Sequence, residues 1–360
     1  MRHSGWVPTL ADQFRQHFGH REHLYGVLLD HLADDLDAGG VTALICRDVV
    51  GTASRGDAVQ LRLLAGLFRI VLRGEAPPLA AFYPSLGGAA PADSVWPVAE
   101  PVLLAHVEEL RAALAIPPQT NEVGRSAVLA IGLFAAVRVS GIRRVRLLEP
   151  GASAGLNLNV DRYRITGPGW AWGSPSSPLV LDTQAADAGP VDLEIVERRG
   201  CDLDPVAAST PEGARYLTSF VWPFDLARHE RLAAALDIGR AHPVAVDLAG
   251  ASAWLASQLA QPRGDVLTVV WQSITEQYWP AAESAAVREV VASARARMPL
   301  AHLTMEGVPP RQTGGGYDIS THGPELRLDG RLIARSHHHG PPVLLLPEPR
   351  AVGGSKGHLG

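Results

Sequence analysis

The segment VRLLEPGASAGLNLNV, Val145 to Val160, constrains this chain more than any other. A short apolar strand, Val145 to Leu148, runs into Glu149 and then into the turn Gly151-Ala-Ser153-Ala-Gly155. A helix is expected behind the turn. Strand, glycine turn and helix in that order bring free backbone N–H groups and a positive helix end to one place, which suits an anionic or zwitterionic ligand. Glycine lets the backbone come close to such a ligand. A tight strand-to-helix turn that holds no ligand uses the same string.

The chain alternates after Val145. Strands are expected at Val191–Val196, closed by Glu197 to Asp202, and at Val244–Val246, Val266–Trp271 and Leu300–Met305. Helices fall between them, over Thr210–Leu236 with a break at Pro223, Ala251–Leu259 and Ala281–Arg297. Two closing strands, Glu325–Ala334 and Val343–Leu346, complete the pattern, with Asp329-Gly330 and His339-Gly340 as turn signals. This predicts an α/β fold with a mostly parallel sheet, helices on both faces and a C-terminal antiparallel hairpin. Gly167–Pro190, rich in Gly, Pro, Ser and Trp, reads as an inserted loop.

The earlier part of the chain has helical periodicity. Leu24, Leu28 and Leu32 share one face, as do Leu61, Leu64 and Phe68. The expected domains are a helical N-terminal domain or cap over 1–118, an α/β domain over 119–350 and a disordered tail over 351–360. Thr120 is positioned to cap a helix that runs to about Val139 and ends at Gly141.

The 360 residues carry a net charge of −5 and a single lysine, Lys356, so no basic field invites nucleic acid or an anionic membrane. Two cysteines, Cys46 and Cys201, lack metal-ligand spacing. No segment reaches the ~18 uncharged apolar residues of a membrane span. Ala127–Val139, broken by Arg138, reads as a buried helix. A reduced, cytoplasmic protein acting on a small molecule is expected, its oligomeric state left open.

Several strings together resemble a bacterial family known as domain of unknown function 2332: TNEVGR (120–125), LLEPGASAGLNL (147–158), DRYR (161–164), RRGCDLDP (198–205), SFVWP (219–223), HHHG (337–340) and FYPSLGG (82–88). Gln272 stands where the resemblance implies a histidine. The glycine motif and strand order resemble those of class I S-adenosylmethionine-dependent methyltransferases, whose first motif is acidic-x-Gly-x-Gly-x-Gly; Ser153 takes the place of its middle glycine. The resemblance implies a Rossmann-like methyltransferase-type domain with S-adenosylmethionine as cofactor and an unidentified small molecule as methyl acceptor. Glu149, Gly151, Ser153, Gly155 and Asn157 would then meet the methionine part. Asp202 is the better candidate, beside Glu197, for the ribose hydroxyls, and Asp247 reaches toward adenine or caps the next helix. Asn121 and Arg125 lie over the cofactor. The acceptor would lie near Gln272 and Tyr278, with Tyr278, Glu276 or Glu306 as a base. Trp271 and Tyr278 fit core packing as well. His339, beside His337, is a base or substrate-binding candidate; without a third spaced ligand no metal site is expected.

Two other readings stay open. Gly151-Ala-Ser153-Ala-Gly155 matches Gly-x-Ser-x-Gly, so Ser153, Glu306 and His339 could form a serine-hydrolase triad. Against it, Pro150 precedes the motif and no His-Gly-Gly-Gly segment lies upstream. The third reading is a methyltransferase-like fold that serves as a non-catalytic binding module.

Overall fold

The computed structural model describes residues 8–17, 22–50, 58–116, 118–307 and 318–346. The tail 351–360 lies outside them. By compactness the chain divides into two units, Met1–Thr120 with Ala207–Leu236, and Asn121–Val206 with Asp237–Gly360. The first unit thus takes in a stretch that the sequence pattern assigns to the α/β domain.

The second unit holds eleven strands among the described residues: β1 (Arg144–Pro150), β2 (Arg164–Gly167), β3 (Trp170–Gly173), β4 (Val180–Asp182), β5 (Glu194–Asp202), β6 (Val246–Leu248), β7 (Leu267–Ser273), β8 (Leu300–Glu306), β9 (Glu325–Leu328), β10 (Arg331–His337) and β11 (Gly340–Leu345). Eight form one sheet in the order β11-β10-β9-β8-β7-β1-β5-β6. The five from β8 to β6 are parallel. All seven residues of β7 are buried, as are six of the seven of β1, which is how strands covered on both faces should read. The chain leaves β1 toward β5 on one side and returns to β7 on the other. The carboxyl end of β1 is therefore the switch point of the sheet.

Three expected boundaries change. The second sheet strand does not stop at Val196 but pairs with β1 and β6 as far as Asp202. The C-terminal hairpin is a three-stranded antiparallel meander, because Asp329 (φ 54°) and Gly330 (φ 83°) fold Glu325–Ala334 back on itself. The segment 167–190 is not a loop: β2, β3 and β4 make a small sheet. Its tryptophans anchor it. Trp170 Nε1 donates to Ala185 O at 2.7 Å, and Trp170 and Trp172 meet the Phe134 ring edge-on at 6.0 and 5.3 Å.

Phe134 lies on the helix Ser126–Ser140, of which eleven of fifteen residues are buried. With the 3₁₀ turn before it, Val123–Ser140 is long and apolar enough to cross a membrane; 72% of it is buried in the fold, as a core helix should be. Gly141 ends it in the left-handed conformation, its N–H donating to Val137 O. At the other end the cap is Glu122, which accepts from Gly124 N, and not Thr120.

The first unit is helical throughout its described residues. Leu24, Leu28 and Leu32 lie on the helix Leu24–Asp37, and Leu64 and Phe68 on Val59–Leu72; all five are in one core with Phe14, Tyr25 and Tyr83. The helices Trp96–Ala105 and Val107–Leu114 meet at His106. The Thr210–Leu236 stretch supplies Pro211–Ser219 and the start of Leu226–Ala241, separated around Pro223.

Candidate functional site

Each backbone N–H of the glycine turn has a partner within the chain. Gly151 N and Ala152 N donate to Cys201 O at 2.8 and 2.9 Å, and Gly155 N to Ala152 O at 2.8 Å. Ser153 N donates to Asp202 Oδ2 at 2.8 Å. Ala154 N and Leu156 N both donate to Asn121 Oδ1, at 3.2 and 3.1 Å. Asn121 and Asp202, expected at a cofactor, thus hold the turn itself. An N–H that already donates to a buried acceptor is not offered to an anion.

The helix expected behind the turn is absent as well. Leu156–Arg162 is a 3₁₀ segment interrupted at Asn159, so no α-helical dipole end points at the turn. The glycines make room for protein. A Cβ on Gly151 (φ 75°) would come 2.5 Å from Thr275 Cγ2, and one on Gly155 (φ 72°) 2.9 Å from Val246 Cγ2. Ser153 itself has φ 53°, a conformation a glycine adopts without cost. This is why glycine suits that position.

Replacing Asn121 by alanine is expected to leave Ala154 N and Leu156 N without their acceptor and to cost about 1–3 kcal/mol. Hydrogen exchange should speed up at those two amides first; unchanged protection there would refute the role.

The group left unsatisfied at the switch point is Glu149. The residue is 2% exposed, and among the described residues its Oε2 completes no hydrogen bond. Burial pushes its pKa up to about 8; Arg125 opposes this, Asp202 adds to it, and Trp271 and Asn157 favour the charged form. Asn157 is turned by Ser126, whose Oγ donates to Asn157 Oδ1 at 2.7 Å. Trp271 is fully buried, and its Nε1 completes no hydrogen bond among the described residues. Arg125 donates from Nε to His338 O and from Nη1 to Ser273 O, both at 3.1 Å, tying the β10–β11 turn to the end of β7.

The other candidates are dispersed. Asp247 forms a two-pronged pair with Arg199 at 2.7 and 2.8 Å and accepts from Trp254 Nε1, which holds its carboxyl below the usual range. The helix after it is capped instead by Glu283, which accepts from Ser252 N at 2.7 Å. Glu197 pairs with Arg146 and Arg263. Tyr278 is 68% exposed and outside the core. Gln272, 2% exposed, bridges His302 Nε2 at 3.0 Å and Glu306 Oε1 at 3.3 Å. Burial holds His302 down at about 4, so it is neutral near pH 7. His339 Nδ1 lies 3.2 Å from Oε2 of the buried Glu122. No hydrogen bond joins Ser153, Glu306 and His339 among the described residues, so the triad is not assembled. Sequence reasoning passed over Thr275, Ser126, His302 and the inward role of Glu122. Only their partners in the fold distinguish them from ordinary polar residues.

These features define an α/β protein with a largely parallel sheet, a buried acid at its switch point and a self-held glycine turn. The chain belongs to the family described as "uncharacterized protein conserved in bacteria (DUF2332)", which matches residues 9–344. No curated protein and no solved structure matches it.

Proposed function

We propose that the protein takes a small cationic molecule at Glu149, and that S-adenosylmethionine, as methyl donor to a small acceptor, is the ligand to test first. Glu149 carries the reading: a buried carboxyl with one unpaired oxygen gains most from a ligand cation, which would supply the missing partner and draw its pKa back down. S-adenosylmethionine has two cationic centres, the ammonium and the sulfonium. The parallel order β8-β7-β1-β5-β6 and the Glu-x-Gly-x-Ser-x-Gly string support the same class. The turn fits that cofactor poorly, because its amides are spent internally. Entry would require Thr275 to leave Gly151. That misfit favours the second reading, a binding module without methyl transfer.

Titration calorimetry of the full chain with S-adenosylmethionine and S-adenosylhomocysteine separates the readings. Dissociation constants near the micromolar range, weakened at least about tenfold in Glu149→Gln, are expected. No heat at about millimolar ligand would eliminate the methyl donor. The sulfonium also predicts tighter binding of S-adenosylmethionine than of its neutral-sulfur product.

A further inference from the structure

The chain that closes against the glycine turn is strained where it leaves the sheet. β7 ends at Ser273, and the next residue, Ile274, has φ 53°. Asn121 and Ser153 also have positive φ at this switch point, but a β-branched side chain is the worst suited of the three to that region. Anchors on both sides hold Ile274 in place. Before it, Ser273 O accepts from Arg125 Nη1, and Ile274 N donates to Met305 O at 2.8 Å. After it, a single carboxylate oxygen gathers the chain. Glu306 Oε1 accepts from Thr275 N and Glu276 N, both at 3.2 Å, and from Thr275 Oγ1 at 3.4 Å. Gln272 Nε2 holds the same oxygen from β7 at 3.3 Å. Thr275 then lies against Gly151. The 3₁₀ turn that follows, Glu276–Tyr278, has no buried residue, and Glu276 pairs with the exposed Arg288. Local strain with little buried surface marks the segments of a fold that open most easily.

We propose that Thr275–Tyr278 is a lid over Glu149, strained at Ile274 and latched by Glu306, and that it opens to admit the ligand. The proposal rests on the reading of Glu149 as the ligand's contact. In the closed state Thr275 blocks the approach past Gly151. Opening lets Ile274 return to an ordinary φ, so the strain favours the open state and the Glu306 bonds oppose it. Ile274 and Glu306 are positioning residues: they set the balance between the two states and need not touch the ligand.

Two measurements on the full chain without ligand test it. Carbodiimide coupling of glycine ethyl ester, read by peptide mass spectrometry, reports access to Glu149. Hydrogen exchange reports the Thr275 and Glu276 amides. Glu306→Ala removes an acceptor of charge-assisted bonds and is expected to speed both at least about fivefold. Ile274→Gly takes φ 53° without strain and is expected to slow both at least about threefold. A role in packing alone gives the opposite sign, because Ile274 is 9% exposed and losing its side chain would loosen the segment. Should Ile274→Gly fail to fold, Ile274→Asn, which tolerates the left-handed region, is expected to act in the same direction. Faster labelling in both the Ile274 and Glu306 variants overturns the proposal. So does faster amide exchange in Glu306→Ala with labelling of Glu149 unchanged, since the segment would then cover nothing. The ligand reading fails separately: no heat with S-adenosylmethionine beside opposed labelling removes the methyl donor and keeps the lid.

Discussion

Gly340→Ala is expected to lower the unfolding free energy by at least about 3 kcal/mol. Gly340 sits at φ 102°, and a Cβ there would lie 2.1 Å from Gly124 O. A Cβ on Gly124 would lie 2.1 Å from His339 O. Each glycine therefore faces the other strand of chain with no side chain between them. Both obstacles are backbone carbonyls, which cannot rotate aside as a side-chain tip can. Gly124→Ala should cost a similar amount through the same contact, without the strain of positive φ. Because either change forces the two segments apart, the double variant should cost clearly less than the sum of the singles. Urea unfolding of the four proteins measures this. A Gly340→Ala loss below about 1 kcal/mol would show that the segments separate easily.

Glu149→Gln is expected to make the protein more stable at alkaline pH. The carboxyl titrates near 4.5 when unfolded and near 8 when folded. Between those values the unfolded state releases a proton that the folded state retains. Stability attributable to this group is thus fully present below about pH 4.5 and falls as pH rises through 8. The span corresponds to about 5 kcal/mol, because each pKa unit is worth about 1.4 kcal/mol. Glutamine has the same shape and no such loss. Its advantage should grow from pH 5 to pH 9 and vanish in acid. A constant difference across that range would mean that Glu149 titrates normally. Saturation with a cationic ligand should flatten the wild-type profile.

The sheet was legible because buried parallel strands are written as apolar runs of a length helices rarely take: Val266–Trp271 and Leu300–Met305 were placed to within two residues. The closing region was harder. Asp329-Gly330 signals a turn, yet apolar residues on both sides read as one strand. The 167–190 segment deceived for a different reason. Its Gly and Pro suggest a loop, while its order comes from Trp170 and Trp172 resting on Phe134, a contact between residues far apart in sequence. At the site, the glycines announced a tight turn correctly. What comes close to them is Thr275 and Val246, and spacing along the chain carries no mark of that. Likewise Asn121 and Asp202 have the residue types that bind ligands, and the same chemistry lets them bind the turn.

The assignment of Ala207–Leu236 to the first unit has a consequence for synthesis. Arg69 reaches Ser219 across 150 positions, and its guanidinium lies over the Tyr216 ring at 5.3 Å. The first unit is therefore complete on a nascent chain only once residue 236 has emerged, by which time β1 and β5 are already outside the ribosome. Because each unit is made of two separate stretches of chain, no single protease cut can release one intact unit from the other.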